Sequence, residues 1–279
     1  MIITQTQMNE LHAIQLEIFK NVISVCEKLN LTYFMVHGSL LGAYRLNGFV
    51  PLDDDIDIAM PREDYDKLIK YGNDIIDKKY FIQSSRTDKN YPLVFAKVRD
   101  NDTTYVAELF KNLDINHGIY IDIFPIDYCR ESRLLKKVDK LRLKLLNMRV
   151  SKRYSFEKRT LKTKIKQLIA CILYPNWHRA IEKRERINSA VKKSRFVRLT
   201  GGKPAESYVP AKWFEEKKTM VFEKLETIAP KEYDKYLTQI YGDYMNRTLL
   251  ENKQHDENSV EINACVLDAK KSFKDYKGL

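Results

Sequence analysis

Four aspartates fall within five positions of the stretch GFVPLDDDIDIAM, residues 48–60. Asp55 and Asp57 alternate with isoleucines, and residues two apart on a β-strand point to the same side of the sheet. The two carboxylates would therefore share one face while the isoleucines enter the core. Carboxylates this close repel one another, and a hard divalent cation such as Mg²⁺ or Mn²⁺ removes that cost. We therefore predict a metal site in which Asp53 is a further ligand and Asp54, which is out of phase, is not.

An acidic run of this kind also occurs in two settings that involve no such site. The aspartates could form a solvated turn or cap a helix, which is the usual setting for a run of like charges. A calcium loop is a further alternative, but the spacing lacks the glycine and the distal glutamate that the twelve-residue EF-hand requires in register. The alternation with isoleucine favours the strand and the metal site.

A predicted phosphate site precedes the acidic stretch. Leu31–Val36 is a short apolar run whose length suits a buried strand. Gly38 and Ser39 follow it and open a short helix, where free backbone N–H groups can bind a phosphate. A Gly-Ser turn is usually only a turn, so this prediction depends on the acidic strand that comes soon after it.

A third carboxylate comes from later in the chain. Asp122 lies in GIYIDIFPID, as a polar residue in the middle of an apolar strand. A water-facing position on an edge strand would account for it too, but this context favours a site. Strand, phosphate turn, short helix, acidic strand and a later carboxylate follow the order of the nucleotidyltransferase fold. We therefore predict Asp55, Asp57 and Asp122 as catalytic residues and metal ligands.

Three basic residues are candidates for binding a diphosphate. Lys97 and Arg99 are two apart on one predicted strand, so their side chains would share a face. A solvent-facing basic stripe accounts for the same pattern equally well. Arg45 flanks the acidic loop and would either bind phosphate or pair with the aspartates.

The elements that must position these residues follow from hydrophobic periodicity and from helix and strand end signals. They predict an α/β (α+β) fold, nucleotidyltransferase-like, in which helices flank a mixed sheet and a basic helical insertion interrupts the core. The predicted elements are helices over Met8–Leu29, from Pro61 to a stop at Gly72 and over Lys231–Tyr241, and strands over Asp55–Met60, Tyr80–Ser84, Leu93–Val98 and Gly118–Phe124, the last ended by Pro125.

The charge of the chain is distributed unevenly along its 279 residues. The net charge is +11 overall, yet residues 130–198 contain 23 Lys and Arg against 5 Asp and Glu, so this segment alone carries +18. The composition predicts a catalytic core over residues 1–129, a basic helical segment over 130–198, and a C-terminal part, 199–279, that returns to the core. Such an asymmetry indicates what kind of partner the chain binds rather than how it folds.

The basic segment contains an amphipathic pattern in KTKIKQLIACILYPNWHR, residues 162–179. Its leucines and isoleucines recur at helical spacing, and Trp177 follows as a predicted interfacial aromatic. A basic amphipathic helix suits an anionic membrane surface. An ordinary helix that packs its apolar face on the core and keeps its lysines in water is the equally weighted alternative.

Several further features limit the class of protein. The four cysteines, Cys26, Cys129, Cys171 and Cys265, form no CxxC pair, so we expect free thiols rather than a zinc or redox site. No run of about 18 apolar residues could span a bilayer, and the N-terminal residues lack a signal-peptide pattern. We expect a cytoplasmic location, peripheral on the inner face of the cytoplasmic membrane if the basic segment binds lipid.

Several motifs resemble the LicD family, bacterial phosphocholine transferases that act on teichoic acids or lipopolysaccharide, with the fukutin-related ribitol-phosphate transferases as distant relatives. The motifs are HGSLLGAYRLNGFVPLDDDIDIAMPREDYDKL at 37–68, FAKVRDNDTTYV at 95–106, GIYIDIFPIDY at 118–128 and FEKLETIAPKEYDKYLTQIYGDYM at 222–245. The resemblance covers most of the chain except its basic middle. It departs after Tyr244, where the family often has a proline, a basic residue and a histidine; this sequence reads NRTLLENKQH, so His255 has no clear match.

The resemblance implies a reaction and its partners. CDP-choline would donate phosphocholine to a sugar hydroxyl on a lipid-linked glycan precursor, and CMP would leave. Choline is a quaternary ammonium that aromatic faces attract, but 17 tyrosines and 12 phenylalanines do not single out a cage.

Three alternatives to this reaction are compatible with the sequence. The donor could be CDP-ribitol or CDP-glycerol, or the enzyme could transfer a nucleotide and release pyrophosphate. The chain could also be a basic binding module without activity, although the acidic cluster and the absence of any stacking or helix-turn-helix motif argue against a nucleic-acid partner.

Overall fold

The main sheet is built around one long central strand, residues 120–128. A computed structural model describes residues 1–154, 160–203, 206, 208–246, 254–256 and 259–276. The α-helices within them are α1 (Gln5–Leu29), α2 (His37–Leu46), α3 (Arg62–Ile75), α4 (Arg133–Ser151), α5 (Leu161–Leu173), α6 (Trp177–Asn188) and α7 (Tyr233–Tyr241). The strands are β1 (Ile2–Thr4), β2 (Phe34–Met35), β3 (Asp57–Pro61), β4 (Tyr80–Gln83), β5 (Ala96–Asp100), β6 (Thr104–Ala107), β7 (Tyr120–Tyr128), β8 (Phe196–Leu199), β9 (Val209–Pro210), β10 (Lys217–Phe222), β11 (Leu225–Pro230), β12 (Gln254–Asp256), β13 (Ser259–Glu261) and β14 (Ala264–Asp268).

The central strand β7 pairs in parallel with β3 on one side and antiparallel with β5 on the other. The strand order is β2-β3-β7-β5-β4, and β8 and β9 extend the sheet from the far end of β7. Helices α1 and α3 pack against these strands and against each other. The predicted mixed α/β architecture is therefore confirmed.

The alternation in the acidic stretch determines which side chains enter the core. Ile56 and Ile58 are completely buried, as predicted, and they join one large apolar cluster. The strand itself is shorter than predicted, since β3 begins only at Asp57, opposite Asp122 of β7. Asp55 therefore belongs to the loop that enters the strand rather than to the strand.

Pro125 does not end the central strand, contrary to the prediction, because β7 continues to Tyr128. The Asp122 N–H donates to the carbonyl of Ile56 in the loop that enters β3, so the missing N–H of Pro125, three residues later, points to the opposite side. There the pairing with β5 has ended at Ile123 and the pairing with β8 begins only at Ile126. The strand continues through the proline because the Pro125 carbonyl still accepts a bond from the Thr200 N–H at 3.0 Å.

Gly72 does not stop α3, also contrary to the prediction, since the helix continues to Ile75. A Cβ atom on Gly72 would lie 2.4 Å from the Cδ1 atom of Ile82 on β4. The glycine therefore serves close packing between helix and sheet. By contrast, α7 ends at Tyr241 as predicted, and Gly242, with φ +69, follows it.

Strand lengths elsewhere follow their partners rather than the apolar runs. β2 covers only Phe34–Met35 of the predicted Leu31–Val36, because β3 offers it two paired positions. β5 lies three residues beyond the predicted start, over Ala96–Asp100, where β4 and β7 both pair with it. The helix predicted from Met8 begins slightly earlier, at Gln5, because Thr4 and Gln7 form a capping box.

In its described residues, the basic segment forms helices α4, α5 and α6, with a small core separate from the main one. Leu146, Val150, Trp177, Ala180 and Ile181 form that core between α4 and α6. The sequence predicted Trp177 as an interfacial aromatic, and this is wrong. The Trp177 side chain is buried, and its Nε1 donates to the carbonyl of Val150 at 3.1 Å. The segment leaves from the end of β7 and returns to it through β8. Within the described part of the chain, every helix is too short or too polar to cross a bilayer.

The C-terminal part returns to the core, where β14 pairs with β6 and β13 pairs with β1 at the other end of the chain. His255 belongs to β12, and its side chain is outside the described part of the structure, as are residues 247–253 before it.

Candidate active site

Four polar side chains lie opposite one another across four adjacent strands of the main sheet. Asp57 on β3 is the register partner of Asp122 on β7, which is the partner of Lys97 on β5, which in turn faces Gln83 on β4. Residues in register point to the same face of a sheet. The topology therefore brings two carboxylates and an ammonium group from distant parts of the sequence into one row.

Asp55 joins the two aspartates of this row from the loop before β3. One carboxylate oxygen from each of Asp55, Asp57 and Asp122 lies within 4.8 Å of the others. Asp57 and Asp122 are buried and Asp55 is half-buried. Oxygen ligands from several carboxylates are what Mg²⁺ and Mn²⁺ prefer, so the donor set fits a hard divalent cation.

The proton affinity of Asp55 fits a cation site as well. Loss of hydration raises the pKa of Asp55 well above its usual range, and the charges of Asp57, Asp53, Asp54 and Asp122 raise it further. A group of carboxylates that disfavours its own ionisation is stabilised by a bound cation. A bound divalent cation would relieve this repulsion.

Lys97 and Asp122 form a buried ion pair. The Lys97 ammonium bonds Oδ1 of Asp122 and lies 3.3 Å from the centre of the Tyr120 ring. Burial raises the pKa of Asp122 to about 6, although Lys97 opposes that rise. Burial also lowers the pKa of Lys97, against the attraction of Asp122. The basic stripe is thus not solvent-facing, and Lys97 contributes one positive charge to the row.

Two side chains from the start of α2 hold Asp57. The Asp57 N–H donates to Oγ of Ser39 at 2.8 Å, and Nδ1 of His37 lies 3.1 Å from Oδ2 of Asp57. The other ring nitrogen of His37 lies 2.5 Å from Oε1 of Glu206, which also accepts a bond from the Tyr236 hydroxyl. A chain of contacts therefore runs from Glu206 through His37 to Asp57.

His37 is the charged link in this chain. Burial lowers its pKa, but Asp57 and Glu206 together outweigh burial and raise the pKa to about 9. The imidazolium is thus held between two carboxylates at neutral pH. His37 also has φ +51, a left-handed conformation that non-glycine residues rarely adopt and that is found at functional sites.

We expect His37→Ala to weaken metal binding and to lower activity by about 10- to 100-fold, the usual effect of losing a partner that orients a ligand. Calorimetric titration with Mn²⁺ and the Mg²⁺ dependence of the rate measure the effect. His117→Ala is the matched control, since His117 is also buried but the described hydrogen bond of its ring is to the Leu113 carbonyl, away from the carboxylates. An unchanged metal affinity in His37→Ala would contradict the role.

The predicted phosphate turn faces a carboxylate. A Cβ atom on Gly38 would lie 1.9 Å from Oδ2 of Asp53, so only glycine lets this side chain reach the amino end of α2. Carboxylates are stabilised at the positive end of a helix. Asp53 therefore lies against Gly38 and outside the three-carboxylate cluster, although its charge acts on Asp55.

The neighbouring Asp54 and two of the predicted basic residues have hydrogen-bond partners outside the three-carboxylate cluster. The Asp54 carboxylate accepts a bond from the Tyr105 hydroxyl at 2.8 Å and is not part of the cluster, in line with its phase in the sequence. Arg99 is buried below Lys97, where it donates to Gln83 and to the Gly118 carbonyl. Arg45 donates to the Tyr244 carbonyl at 3.0 Å.

Sequence reasoning did not assign His37 and Glu206 to the site. His37 stands next to Gly38, but a lone histidine carries no signal of its contacts. Glu206 follows the TGGKP turn, 149 positions after Asp57, and only the fold of the C-terminal part brings it to the buried side of α2. The sequence signal that points to His37 is its position at the start of the helix before the acidic strand.

Comparison with known proteins agrees with this arrangement. Residues 30–162 match the family model described as LicD/FKTN/FKRP, nucleotidyltransferase domain, and this range contains Asp55, Asp57 and Asp122. The chain is 26% identical over 258 residues to the lipopolysaccharide cholinephosphotransferase LicD of Haemophilus influenzae, covering 85% of this chain and 91% of that protein. The match to the family model includes all the residues of the polar row, and the similarity to the relative extends beyond residues 30–162. The chain is therefore similar to LicD proteins over most of its length, and residues 30–162 match the nucleotidyltransferase domain of that family.

Proposed function

We propose that the protein transfers phosphocholine from CDP-choline to a sugar hydroxyl of a lipid-linked precursor of lipopolysaccharide or teichoic acid. The observation that supports this most is the cluster of Asp55, Asp57 and Asp122, whose ligand oxygens lie within 4.8 Å of one another, in a family whose relative is a cholinephosphotransferase. Because a nucleotide-linked donor is cytoplasmic, the reaction would take place on that side of the membrane.

Asp55, Asp57 and Asp122 would hold Mg²⁺, or Mn²⁺, with Asp53 beside them at the start of α2. The cation would neutralise charge on the donor diphosphate and on the leaving phosphate. Ser39 and His37 keep Asp57 in place through its backbone and its carboxylate.

The transfer needs a group on the protein that accepts the proton of the sugar hydroxyl. The sugar oxygen bonds to the phosphorus that carries choline, the bond from that phosphorus to the bridging oxygen breaks, and CMP leaves with the electron pair. We assign the hydroxyl proton to Asp122 by proximity, because it lies in register between Asp57 and Lys97, in the row that would hold the donor phosphates.

Basic groups and the helix start would bind the diphosphate. Lys97 places its ammonium beside Asp122, and Arg45 lies on the last turn of α2. Gly38 leaves room for a phosphate oxygen or a carboxylate at the backbone of that helix. Arg99, which lies deeper, would act through Gln83 and Lys97 rather than by touching the donor.

The test is release of CMP from purified protein with Mg²⁺ and a choline-free glycan acceptor. CDP-choline, CDP-ribitol and CDP-glycerol are compared as donors, with lipopolysaccharide and teichoic-acid precursors as separate acceptors. We expect CMP and choline-labelled glycan only from CDP-choline, and none after EDTA. CMP from another donor would reassign the alcohol, pyrophosphate from a nucleoside triphosphate would indicate nucleotidyl transfer, and no product from any donor would refute the proposal.

A further inference from the structure

Helix α5 packs against its neighbour through a polar face and leaves its large apolar side chains exposed. Among its described side chains, Gln167 and Ala170 are buried, and the Gln167 amide donates to the Met148 carbonyl on α4 at 3.2 Å. The large apolar side chains face outward; Leu161 is 75% exposed and Ile172 is 69% exposed. The full set of exposed apolar residues on the helix is Leu161, Ile165, Leu168, Ile169, Ile172 and Leu173.

This outward stripe is too large for an ordinary surface. Soluble chains expose single leucines and isoleucines commonly, but a contiguous apolar face on a helix marks a contact with another molecule or a membrane. The stripe follows helical spacing over the whole length of α5, so it is one continuous face. Helix α4, which packs on α5, exposes Leu134, Leu135, Val138 and Leu141 as well.

The positive charge of the segment around the stripe favours an anionic partner. Residues 130–198 carry a net charge of +18, whereas the rest of the chain carries −7. Helix α5 has lysines and no acidic residue, and Lys164 is exposed beside the apolar stripe. A molecule with this asymmetry turns its basic side toward a negative surface.

The shape of the stripe favours a bilayer over a folded protein. The apolar side chains project outward from the helix, and a lysine lies at the border of the stripe. This is the arrangement of helices that lie in a lipid interface. Thirteen residues of helix are about 20 Å long, shorter than the hydrocarbon core of about 30 Å. A bilayer would therefore take α5 along its surface.

We propose that α5 inserts its apolar stripe into the surface of an anionic lipid bilayer, with the basic segment against the lipid headgroups. The inference is independent of the transferase activity, because it depends only on the exposure and charge of residues 130–198. For an enzyme whose acceptor is lipid-linked, the contact would hold the active site next to the membrane.

Sedimentation of the full chain with vesicles tests the proposal. We expect binding to vesicles that contain phosphatidylglycerol, little binding to pure phosphatidylcholine, and weaker binding at high salt. The triple variant Ile165→Ser, Leu168→Ser and Ile172→Ser should bind at least about tenfold more weakly, since apolar area drives insertion. Lys164→Gln should weaken binding less and reduce the salt dependence.

The matched control removes exposed apolar side chains elsewhere. Leu109→Ser with Val221→Ser changes two residues that are about half exposed outside the basic segment, and vesicle binding should not change. Thermal melting by circular dichroism confirms that each variant is folded. Equal vesicle binding by the triple variant would refute the proposal. A dimer in lipid-free solution that the triple variant loses, without vesicle binding by the unaltered protein, would assign the stripe to self-association instead.

Discussion

Asp57→Asn is expected to lower the rate of CMP release by about a thousandfold or more. A metal ligand that neutralises charge in phosphoryl transfer contributes several kcal/mol to the barrier, and about 1.4 kcal/mol corresponds to a tenfold change in rate. Asp57 lies in the cluster with Asp55 and Asp122, and it is also bonded to His37 and Ser39. The amide keeps the shape of the side chain but not its charge. Steady-state CMP release and Mn²⁺ titration measure both effects.

The neighbouring Asp54→Asn is the control for this substitution. Asp54 carries the same charge three positions earlier, but its carboxylate accepts a bond from Tyr105 and lies outside the cluster. We expect its rate to stay within a few-fold of the unaltered protein. Loss of activity to the same degree in both variants would show that total charge in the loop matters, and not the three-carboxylate cluster. Asp57→Asn should also leave vesicle binding intact, which separates catalysis from the basic surface.

Asp127→Ala is expected to lower the free energy of unfolding by about 3 kcal/mol, since it removes the closest and most buried partner of a nearly buried arginine. Both guanidinium bonds from Arg62 to Asp127 are 2.7 Å long, and the Thr200 hydroxyl donates to the same carboxylate. The pair joins α3 to the end of β7, and Thr200 adds the segment that follows β8. Chemical denaturation followed by circular dichroism measures the loss.

Asp66→Ala is the control for this stability effect. Its carboxylate lies 3.5 Å from the same Arg62, but Asp66 is about 40% exposed and its main partner, Arg86, is equally exposed. Exposed ion pairs contribute about 0–1 kcal/mol. A loss in Asp127→Ala no larger than that of Asp66→Ala would show that burial does not strengthen this pair.

Local sequence patterns were sufficient for the elements whose signals are short in range. The helix α1, the end of α7 at Tyr241 and the alternation of isoleucines at the start of β3 all appear in the structure as predicted. The predictions for Gly72 and Pro125 were wrong, because the role of each residue depends on a distant neighbour. Gly72 makes room for Ile82, and Pro125 falls in the gap between two partner strands of β7.

The apolar face of α5 also shows what local sequence patterns leave open. Its helical spacing was visible in the sequence, but periodicity alone does not say which face is buried. The structure leaves the stripe in solvent and buries Trp177 instead. A buried ring bonded to the Val150 carbonyl cannot serve as a membrane anchor, whereas exposed isoleucines can.

The sequence by itself determined the chemical type of the site: close carboxylates at strand spacing, a later carboxylate in an apolar strand, and a glycine turn before them. These follow from alternation and charge repulsion, which act between residues near in the chain. Only the tertiary structure decided which of them meet. Parallel pairing sets Asp57 beside Asp122, antiparallel pairing adds Lys97, and the returning C-terminal part brings Glu206 to His37. Such pairings depend on strand register, which the packing of the whole sheet sets and no local pattern specifies.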